Sequence, residues 1–211
     1  DNGRLTLGND GVLLNATSNN FASGALDEIT LTSGTNTVIG GAGADTINAG
    51  GGRNIVMGDE GQAEFFTNGS VRSIESINLG TGEDDQITLS AGNNSVIAGA
   101  GADTIVVGNG TNTVLGDEGR LEVLSETTVI ESMNAAVGGA DIISIGSGKN
   151  VVIGGAGSDK ITVNGTASDA QATVLGDNGK LTLGNDGVLL NVRSNNFASG
   201  ALDEITLTSG T

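Results

Sequence analysis

One glycine-rich nonapeptide occurs three times in this chain and constrains its fold more than any other feature. Residues 40–48 read GGAGADTIN, residues 98–106 read AGAGADTIV and residues 154–162 read GGAGSDKIT. The glycines permit a tight loop that other residues adopt only at a cost. The aspartate at position six is a hard oxygen ligand, and the apolar residue two positions later points into a core. The motif therefore combines a loop shape, a carboxylate and a buried side chain.

The nine-residue rhythm continues on both sides of this motif. The first copy divides into residues 22–30, 31–39, 40–48 and 49–57, with Val or Ile always at position eight. Two nonapeptides make one 18-residue coil with two short strands and two glycine turns. Stacked coils form parallel sheets with an aspartate edge and an asparagine edge. Position six carries Asp27, Asp45, Asp85, Asp103, Asp141, Asp159 and Asp203 on one edge, and Asn36, Asn54, Asn94, Asn112 and Asn150 on the other.

A longer repeat surrounds the nonapeptides. Residues 177–211 copy residues 1–35 with three differences, at positions 4, 16 and 17 of the first copy. Openings that read DNG or DEG divide the chain into units 1–58, 59–116 and 117–176 and a partial unit 177–211. We therefore expect residues 1–211 to form a single continuous array. Because the chain opens at a unit boundary, we also expect it to be a segment of a longer array.

Composition excludes several classes of function. The formal net charge is -17, which disfavours nucleic acid and anionic membrane as partners. The chain has no Cys, His, Pro, Trp or Tyr and only four Phe. Disulfides and the usual catalytic triads are therefore absent, and a thin layered core of aliphatic residues is expected. No apolar run is long enough to span a membrane, so we expect no membrane insertion.

These motifs resemble the RTX (repeats-in-toxin) calcium-binding repeats of large secreted or surface bacterial proteins. The resemblance implies an all-β fold, a right-handed parallel β-roll or β-solenoid with 18-residue coils. It also implies Ca²⁺ between successive loops of one edge, held by the position-six aspartate and by loop carbonyls from positions one and three. Carried over to this sequence, the ligands are Gly40, Ala42 and Asp45, then Ala98, Ala100 and Asp103, then Gly154, Ala156 and Asp159, completed by Asp27, Asp85, Asp141 and Asp203.

The two edges have different interpretations. A single aspartate can simply cap a turn through its own hydrogen bonds. That explanation weakens for aspartates stacked about 5 Å apart, because they repel one another without a cation. The asparagine edge departs from the family pattern. Its side chains favour a ladder of amide hydrogen bonds, with metal binding as the alternative.

Spacers of roughly twenty residues interrupt the coils about every 58 residues and are predicted to be β-hairpins, at residues 4–15, 63–74 and 120–130. The aspartates that open the units, Asp59, Asp117 and Asp177, either donate to the calcium edge or begin a turn. Position nine on the asparagine strands is always apolar, so something must cover that sheet. We expect the hairpins to cover it, with a partner or a second copy as the alternative. The candidate covering residues are Leu13, Phe21, Phe65, Phe66, Ile74 and Val129.

The sequence thus predicts a structural, calcium-binding region that folds on binding Ca²⁺ outside the cell. It would serve as a stalk or scaffold of a secreted, adhesin-like protein exported by type I secretion. Its partners would be calcium ions and neighbouring repeats of the same array. The alternative is a module that binds polysaccharide or another surface with the outer face of one sheet, although the scarcity of aromatic residues disfavours sugar binding. Near-identical repeats argue against an enzyme, which needs one singular site.

Overall fold

The computed structural model describes residues 3–19, 24–165, 171–195 and 201–209. These residues form 21 strands, numbered here in chain order, and no helix. Among the described residues there is accordingly no helix with the length and hydropathy to cross a membrane. The strands assemble into three sheets, two of them parallel. The predicted all-β fold class with parallel sheets is confirmed.

The first parallel sheet is called the aspartate sheet, because an aspartate directly precedes each of its seven strands. Its strands are short, and alternate residues point to opposite faces. In spatial order the strands are β3 (Glu28–Leu31), β5 (Thr46–Ala49), β9 (Gln86–Leu89), β11 (Thr104–Val107), β15 (Ile142–Ile145), β17 (Lys160–Gly165) and β21 (Glu204–Ser209).

The second parallel sheet is called the asparagine sheet, because five of its six strands carry asparagine at their third residue. It stacks against the aspartate sheet through the position-eight side chains. Its strands are β4 (Gly34–Ile39), β6 (Gly52–Met57), β10 (Gly92–Ile97), β12 (Gly110–Leu115), β16 (Gly148–Gly155) and β18 (Gln171–Asp177).

The third sheet is called the hairpin sheet and is antiparallel. Four hairpins pair side by side into one continuous sheet of eight strands, so the spacers contact one another as well as the coils. The strands are β1 (Gly3–Leu7), β2 (Leu13–Ser18), β7 (Gly61–Phe65), β8 (Val71–Ser76), β13 (Gly119–Val123), β14 (Thr127–Ser132), β19 (Gly179–Gly184) and β20 (Leu189–Ser194).

Strand register shows where the hairpins enter the fold. Glu28 of β3 pairs with Thr46 of β5, 18 residues later, whereas Thr46 pairs onward with Gln86 of β9, 40 residues later. The second interval is longer because the hairpin of β7 and β8 lies between Thr46 and Gln86. The chain leaves the asparagine sheet after Met57, forms that hairpin and enters the aspartate sheet at β9. Each internal hairpin is therefore an insertion into a loop on the aspartate edge.

Two layers of apolar side chains hold the three sheets together. The first lies between the two parallel sheets and consists of position-eight residues such as Ile47, Val96 and Ile105, all fully buried. The second lies between the asparagine sheet and the hairpin sheet. It joins Met57 and Leu115, each 1% exposed, to the hairpin residues Ala63, Ile74, Leu121, Ile130 and Leu181.

The hairpins therefore cover the asparagine sheet, as expected, but not with all of the predicted residues. Ile74 is buried in the second core layer and Phe65 packs partly against it. Val129 is only half-buried, because the alternation of β14 points its neighbour Ile130 inward instead. Phe66 is 41% exposed, at the end of its hairpin strand. Leu13 is half-buried and outside the second layer, and Phe21 lies outside the described residues.

Candidate metal centre

The position-six aspartates form one continuous ladder along the edge of the aspartate sheet. Oδ1 of each aspartate accepts a hydrogen bond from the backbone N–H of the aspartate on the neighbouring strand. Parallel pairing in register places these residues above one another, so the ladder follows directly from the repeat. The donor and acceptor pairs are Asp27–Asp45, Asp45–Asp85 and Asp85–Asp103 at 2.7 Å, Asp103–Asp141 at 2.8 Å, and Asp141–Asp159 and Asp159–Asp203 at 3.0 Å.

The second oxygen of these carboxylates has no hydrogen-bond partner. Oδ2 is buried and unpaired in Asp45, Asp85, Asp103, Asp141 and Asp159, and each of these residues is 1% exposed. Buried polar atoms are almost always paired, and an unpaired buried carboxylate oxygen is costly. Five such atoms in a row indicate that something outside the chain satisfies them.

The unpaired oxygens face backbone carbonyls beside glycines at position one of the nine-residue frame. A Cβ added to Gly58 would lie 2.0 Å from Oδ2 of Asp85 and 2.4 Å from the carbonyl oxygen of Ala98. At Gly40, the same added atom would lie 2.3 Å from both Oδ2 of Asp45 and the carbonyl oxygen of Gly58. Carboxylate and carbonyl oxygens thus border a space that a side chain would fill. Gly116 and Gly154 border equivalent spaces, beside Oδ2 of Asp141 and Asp159 and the carbonyls of Gly154 and Gly176.

Burial raises the pKa values of the ladder carboxyls above their ordinary value. Burial and the charge of Asp141 raise the pKa of Asp103 to about 10. Burial, with Asp117 and Asp159 adding repulsion, raises the pKa of Asp141 to about 9. The pKa of Asp85 rises to about 7, and those of Asp45 and Asp159 to about 6, mainly through burial. Backbone hydrogen bonds lower these pKa values, but by less than burial raises them. The row of carboxylates is therefore more stable when a proton or a cation neutralises its charge.

The oxygen set fits calcium. Ca²⁺ takes six to eight oxygen ligands and mixes carboxylates with backbone carbonyls. The described residues contain no group of three or more Asp, Glu, His or Cys side chains arranged to hold a metal. A cation on this edge would therefore take one or two carboxylates and complete its shell with carbonyl oxygens. The unpaired Oδ2 atoms and the carbonyls of Gly58, Ala98, Gly154 and Gly176 supply both kinds of ligand.

The aspartates that open the units accept hydrogen bonds from the backbone of neighbouring loops. Oδ2 of Asp59 accepts from the N–H of Ala100 at 2.6 Å, while its buried Oδ1 is unpaired. Asp117 accepts in the same way from the N–H of Ala156, and its Oδ1 accepts from Gly139 at 3.2 Å. Burial raises the pKa of Asp59 to about 9 and that of Asp117 to about 8. Asp177 accepts from Ala201 at 3.3 Å.

Next to these aspartates lie two glutamates that the sequence did not single out. Glu60 is 3% exposed and Glu118 is 2% exposed. Burial raises the pKa of Glu60, and the nearby negative charge of Glu118 adds to the effect. At the equivalent position of the last unit stands Asn178, whose Nδ2 donates to the carbonyl of Ala135 at 3.3 Å.

The asparagine edge carries the predicted amide ladder. Nδ2 of each asparagine donates to Oδ1 of the next, at 2.7 Å for Asn36–Asn54, 2.8 Å for Asn54–Asn94 and 2.9 Å for Asn94–Asn112. Nδ2 also donates to the carbonyl four residues earlier, as Asn54 does to Gly50 at 3.0 Å. With both donors and Oδ1 engaged, these amides satisfy one another without a metal.

The structure thus brings together the seven predicted aspartates and places Gly40, Ala98 and Gly154 beside them. Ala100 and Ala156 contribute through their N–H groups, which bind Asp59 and Asp117. Sequence reasoning missed Gly58, Gly116 and Gly176. These glycines could have been predicted, because each of them stands at position one when the nine-residue frame continues past Met57, Leu115 and Leu175.

Comparison with known proteins gives one match. The family model for the RTX calcium-binding nonapeptide repeat (4 copies) matches residues 31–62, 79–119 and 136–165. These segments contain the aspartates from Asp45 to Asp159 and the asparagines of β4, β6, β10, β12 and β16. No curated protein and no solved structure matches the chain.

Proposed function

Because this chain belongs to the RTX calcium-binding nonapeptide repeat family, we propose that its calcium-binding repeat region is a secreted structural element that folds when it binds Ca²⁺. RTX nonapeptide repeats bind calcium, so the cation itself is established by the family. The role proposed is that of a stalk or scaffold within a larger extracellular bacterial protein. The observation that carries the proposal is the row of five buried, unpaired Oδ2 atoms.

The proposed sites lie between successive position-one residues along the aspartate ladder. Oδ2 of each ladder aspartate and the carbonyl of the facing position-one residue would be ligands. The proximity of Oδ2 of Asp85 and the carbonyl of Ala98 to the same point beside Gly58 supports this for one site. Calcium would supply the positive charge that the buried carboxylates lack. In the folded chain the backbone N–H groups of the ladder hold Oδ1 of each carboxylate in place, which leaves Oδ2 for the cation. Asp59 and Asp117 accept hydrogen bonds from the N–H groups of Ala100 and Ala156 in neighbouring loops. The unpaired Oδ1 of Asp59 is a further candidate ligand.

The folding switch follows from charge. At a formal net charge of -17, with buried carboxylates in a row, the calcium-free chain opposes its own compaction. Calcium that binds only the folded state adds RT ln(1 + [L]/Kd) per site, about 2.7 kcal/mol at a hundred times Kd. Several such sites are comparable with the whole stability of a domain. In a calcium-poor cytoplasm the chain would stay unfolded and exportable, and outside the cell it would fold.

The alternative is a module that binds a polysaccharide or another surface with an outer sheet face. The apolar outer face of the asparagine sheet is not available for this, because Met57 and Leu115 are buried under the hairpins. A surface partner would have to use the outer face of the aspartate sheet. There the exposed side chains are mixed, with Val106 and Ile142 beside Thr88 and Lys160. We therefore favour the structural role.

The test is a calcium titration of protein freed of metal by chelation and dialysis, followed by circular dichroism. We expect strand signal to appear cooperatively as calcium is added. Magnesium, which prefers rigid octahedral sites and keeps its waters, is the matched control ion and should be far less effective. Full strand signal before calcium is added would refute the folding switch while leaving the fold intact.

A further inference from the structure

A second set of buried carboxylates lies where the hairpins begin, outside the aspartate ladder. Glu60 directly precedes β7 and Glu118 directly precedes β13, and both are at most 3% exposed. Both carboxylate oxygens of Glu60 and Oε2 of Glu118 have no hydrogen-bond partner. Glutamate is almost never fully buried unless it is paired. Three unpaired oxygens on two neighbouring glutamates therefore call for a partner that is not part of the chain.

Both glutamates flank one link, residues 77–82, which connects β8 to the aspartate sheet. The N–H of Gly80 donates to Oε1 of Glu118 at 2.5 Å, and the N–H of Ile77 donates to the backbone carbonyl of Glu60 at 3.0 Å. The first bond directs the Glu118 carboxylate at the link. The Glu60 carboxylate lies close enough to Thr81 and Glu118 for both to act on its pKa.

The chain offers these carboxylates little compensation apart from the N–H of Gly80 and the backbone of Glu60 itself, which lowers the pKa of that residue. The Thr81 hydroxyl beside Glu60 donates its proton to the carbonyl of Asn78 at 2.7 Å, so that proton is engaged elsewhere. Arg120, two residues after Glu118, pairs with Glu122 and Glu131. None of the ion pairs among the described residues includes Glu60 or Glu118. Removing a carboxylate from water without such a partner costs several kcal/mol.

We propose that Glu60 and Glu118 bind a divalent cation of the calcium class against the link of residues 77–82. The ligands would all be oxygens, which selects a hard cation such as Ca²⁺. This site lies outside the aspartate ladder, although the charge of Glu60 also raises the pKa values of Asp45 and Asp59. A cation here ties the opening of the second unit to the opening of the third across their shared link. At the next boundary Asn178 replaces the second glutamate and hydrogen-bonds to Ala135, so the proposal is confined to the boundary with two carboxylates.

The test counts calcium ions by equilibrium dialysis at saturating calcium. The double variant Glu60→Gln/Glu118→Gln should bind one calcium fewer per chain than the wild type. Glutamine keeps an oxygen for the N–H of Gly80, so the fold should persist, and circular dichroism in calcium checks this. Glu126→Gln makes the same side-chain change at one glutamate on the exposed tip of a hairpin and should bind the full number. An unchanged count in the folded double variant overturns the proposal.

A second measurement does not depend on variants. Crystals of the wild-type chain grown with Tb³⁺ in place of Ca²⁺ should show an anomalous peak about 2.3–2.6 Å from oxygens of Glu60 and Glu118. Peaks along the aspartate ladder with none at this position overturn the proposal and leave the ladder sites standing. A peak here with none on the ladder supports it and refutes the ladder sites instead.

Discussion

The backbone N–H of Asp45 donates to Oδ1 of Asp85 across 2.7 Å, although the two residues are 40 apart in the chain. The same distance joins Asp27 to Asp45, which are 18 apart with no hairpin between them. The hairpin of β7 and β8 therefore interrupts the sequence without interrupting the row of carboxylates. Because each carboxylate lies next to the following one, a cation at one site lowers the repulsion felt at its neighbours. We expect calcium binding along this row to be cooperative.

Asp103→Asn should have opposite effects with and without calcium. Without calcium, the amide removes a buried group whose pKa burial raises to about 10, so the variant should keep more strand signal in chelator at pH 8 than the wild type. With calcium, the loss of one ligand should lower stability by about 2.7 kcal/mol if the lost site was occupied at a hundred times Kd. Circular dichroism in chelator and thermal unfolding in calcium measure the two effects. Asp186→Asn, on an exposed hairpin turn, is the control, and a variant less stable in both conditions would contradict the prediction.

The nine-residue rhythm was enough to predict the parallel sheets, their core side chains and both ladders. Period and register carry that information, because residues one coil apart must stack. The pairing of separate hairpins into one sheet, as between Arg120 and Glu75, follows from the three-dimensional path of the chain and leaves no local pattern. The prediction that Val129 covers the asparagine sheet was wrong for a related reason. Val129 and Ile130 are both apolar, so alternation alone could not decide which of them points inward.

The unpaired glutamates lay beyond prediction for a different reason. Glu60 and Glu118 belong to a residue type that is usually exposed, and the DEG openings resemble ordinary turns. Only the structure shows that both are buried under a link of the chain. Gly58, by contrast, could have been found, because the nine-residue frame already placed it at position one.

Gly58→Ala should weaken calcium binding because its methyl group would occupy the space beside Oδ2 of Asp85 and the carbonyl of Ala98. We expect the calcium midpoint of folding to rise at least several-fold. Gly11→Ala is the control: its φ of +82° makes alanine strained, but no atom lies within 4 Å of the added carbon. That control should cost about 1 kcal/mol and leave the midpoint almost unchanged. Equal shifts in the two variants would show that a general loss of stability, rather than filling of the oxygen-lined space, is responsible.

The calcium-free protein should lose stability as pH rises. The ladder carboxyls ionise near 3.8 in the unfolded chain, whereas burial raises their folded pKa values to between about 6 for Asp45 and about 10 for Asp103. Between those limits the folded state binds more protons than the unfolded state, so the free energy of unfolding falls with increasing pH. The decline should begin above pH 4 and continue towards pH 10.

The strand signal of metal-free protein, followed by circular dichroism from pH 5 to pH 9, measures this dependence. Saturating calcium should largely abolish it, because the cation replaces the bound protons, and calcium binding should release protons into the buffer. A strand signal that does not change over this range in metal-free protein would mean that the ladder carboxylates are already charged and solvated in the folded state.

Asn54→Ala should destabilise the fold without removing a calcium ligand. The change leaves Asn36 without its acceptor at 2.7 Å and Asn94 without its donor at 2.8 Å. Buried amides left unpaired in this way cost about 1–3 kcal/mol. Asp45→Ala is the matched change on the opposite edge. Calcium titrations followed by circular dichroism should show a larger shift of the midpoint for Asp45→Ala, and a larger shift for Asn54→Ala would mean that the asparagine edge also binds metal.

Ile130→Ala tests whether the hairpin sheet is an integral layer of the fold. Ile130 is fully buried in the layer between the hairpins and the asparagine sheet, so removing its side chain leaves a cavity and should cost about 2–5 kcal/mol. Leu124→Ala, at a hairpin position that is 45% exposed, should cost far less. The measurement is chemical denaturation in saturating calcium, which keeps the ladder sites filled in both variants. If Ile130→Ala were as stable as Leu124→Ala, the hairpins would be attached to the coils without contributing to their stability, and the apolar residues Met57 and Leu115 would need another partner.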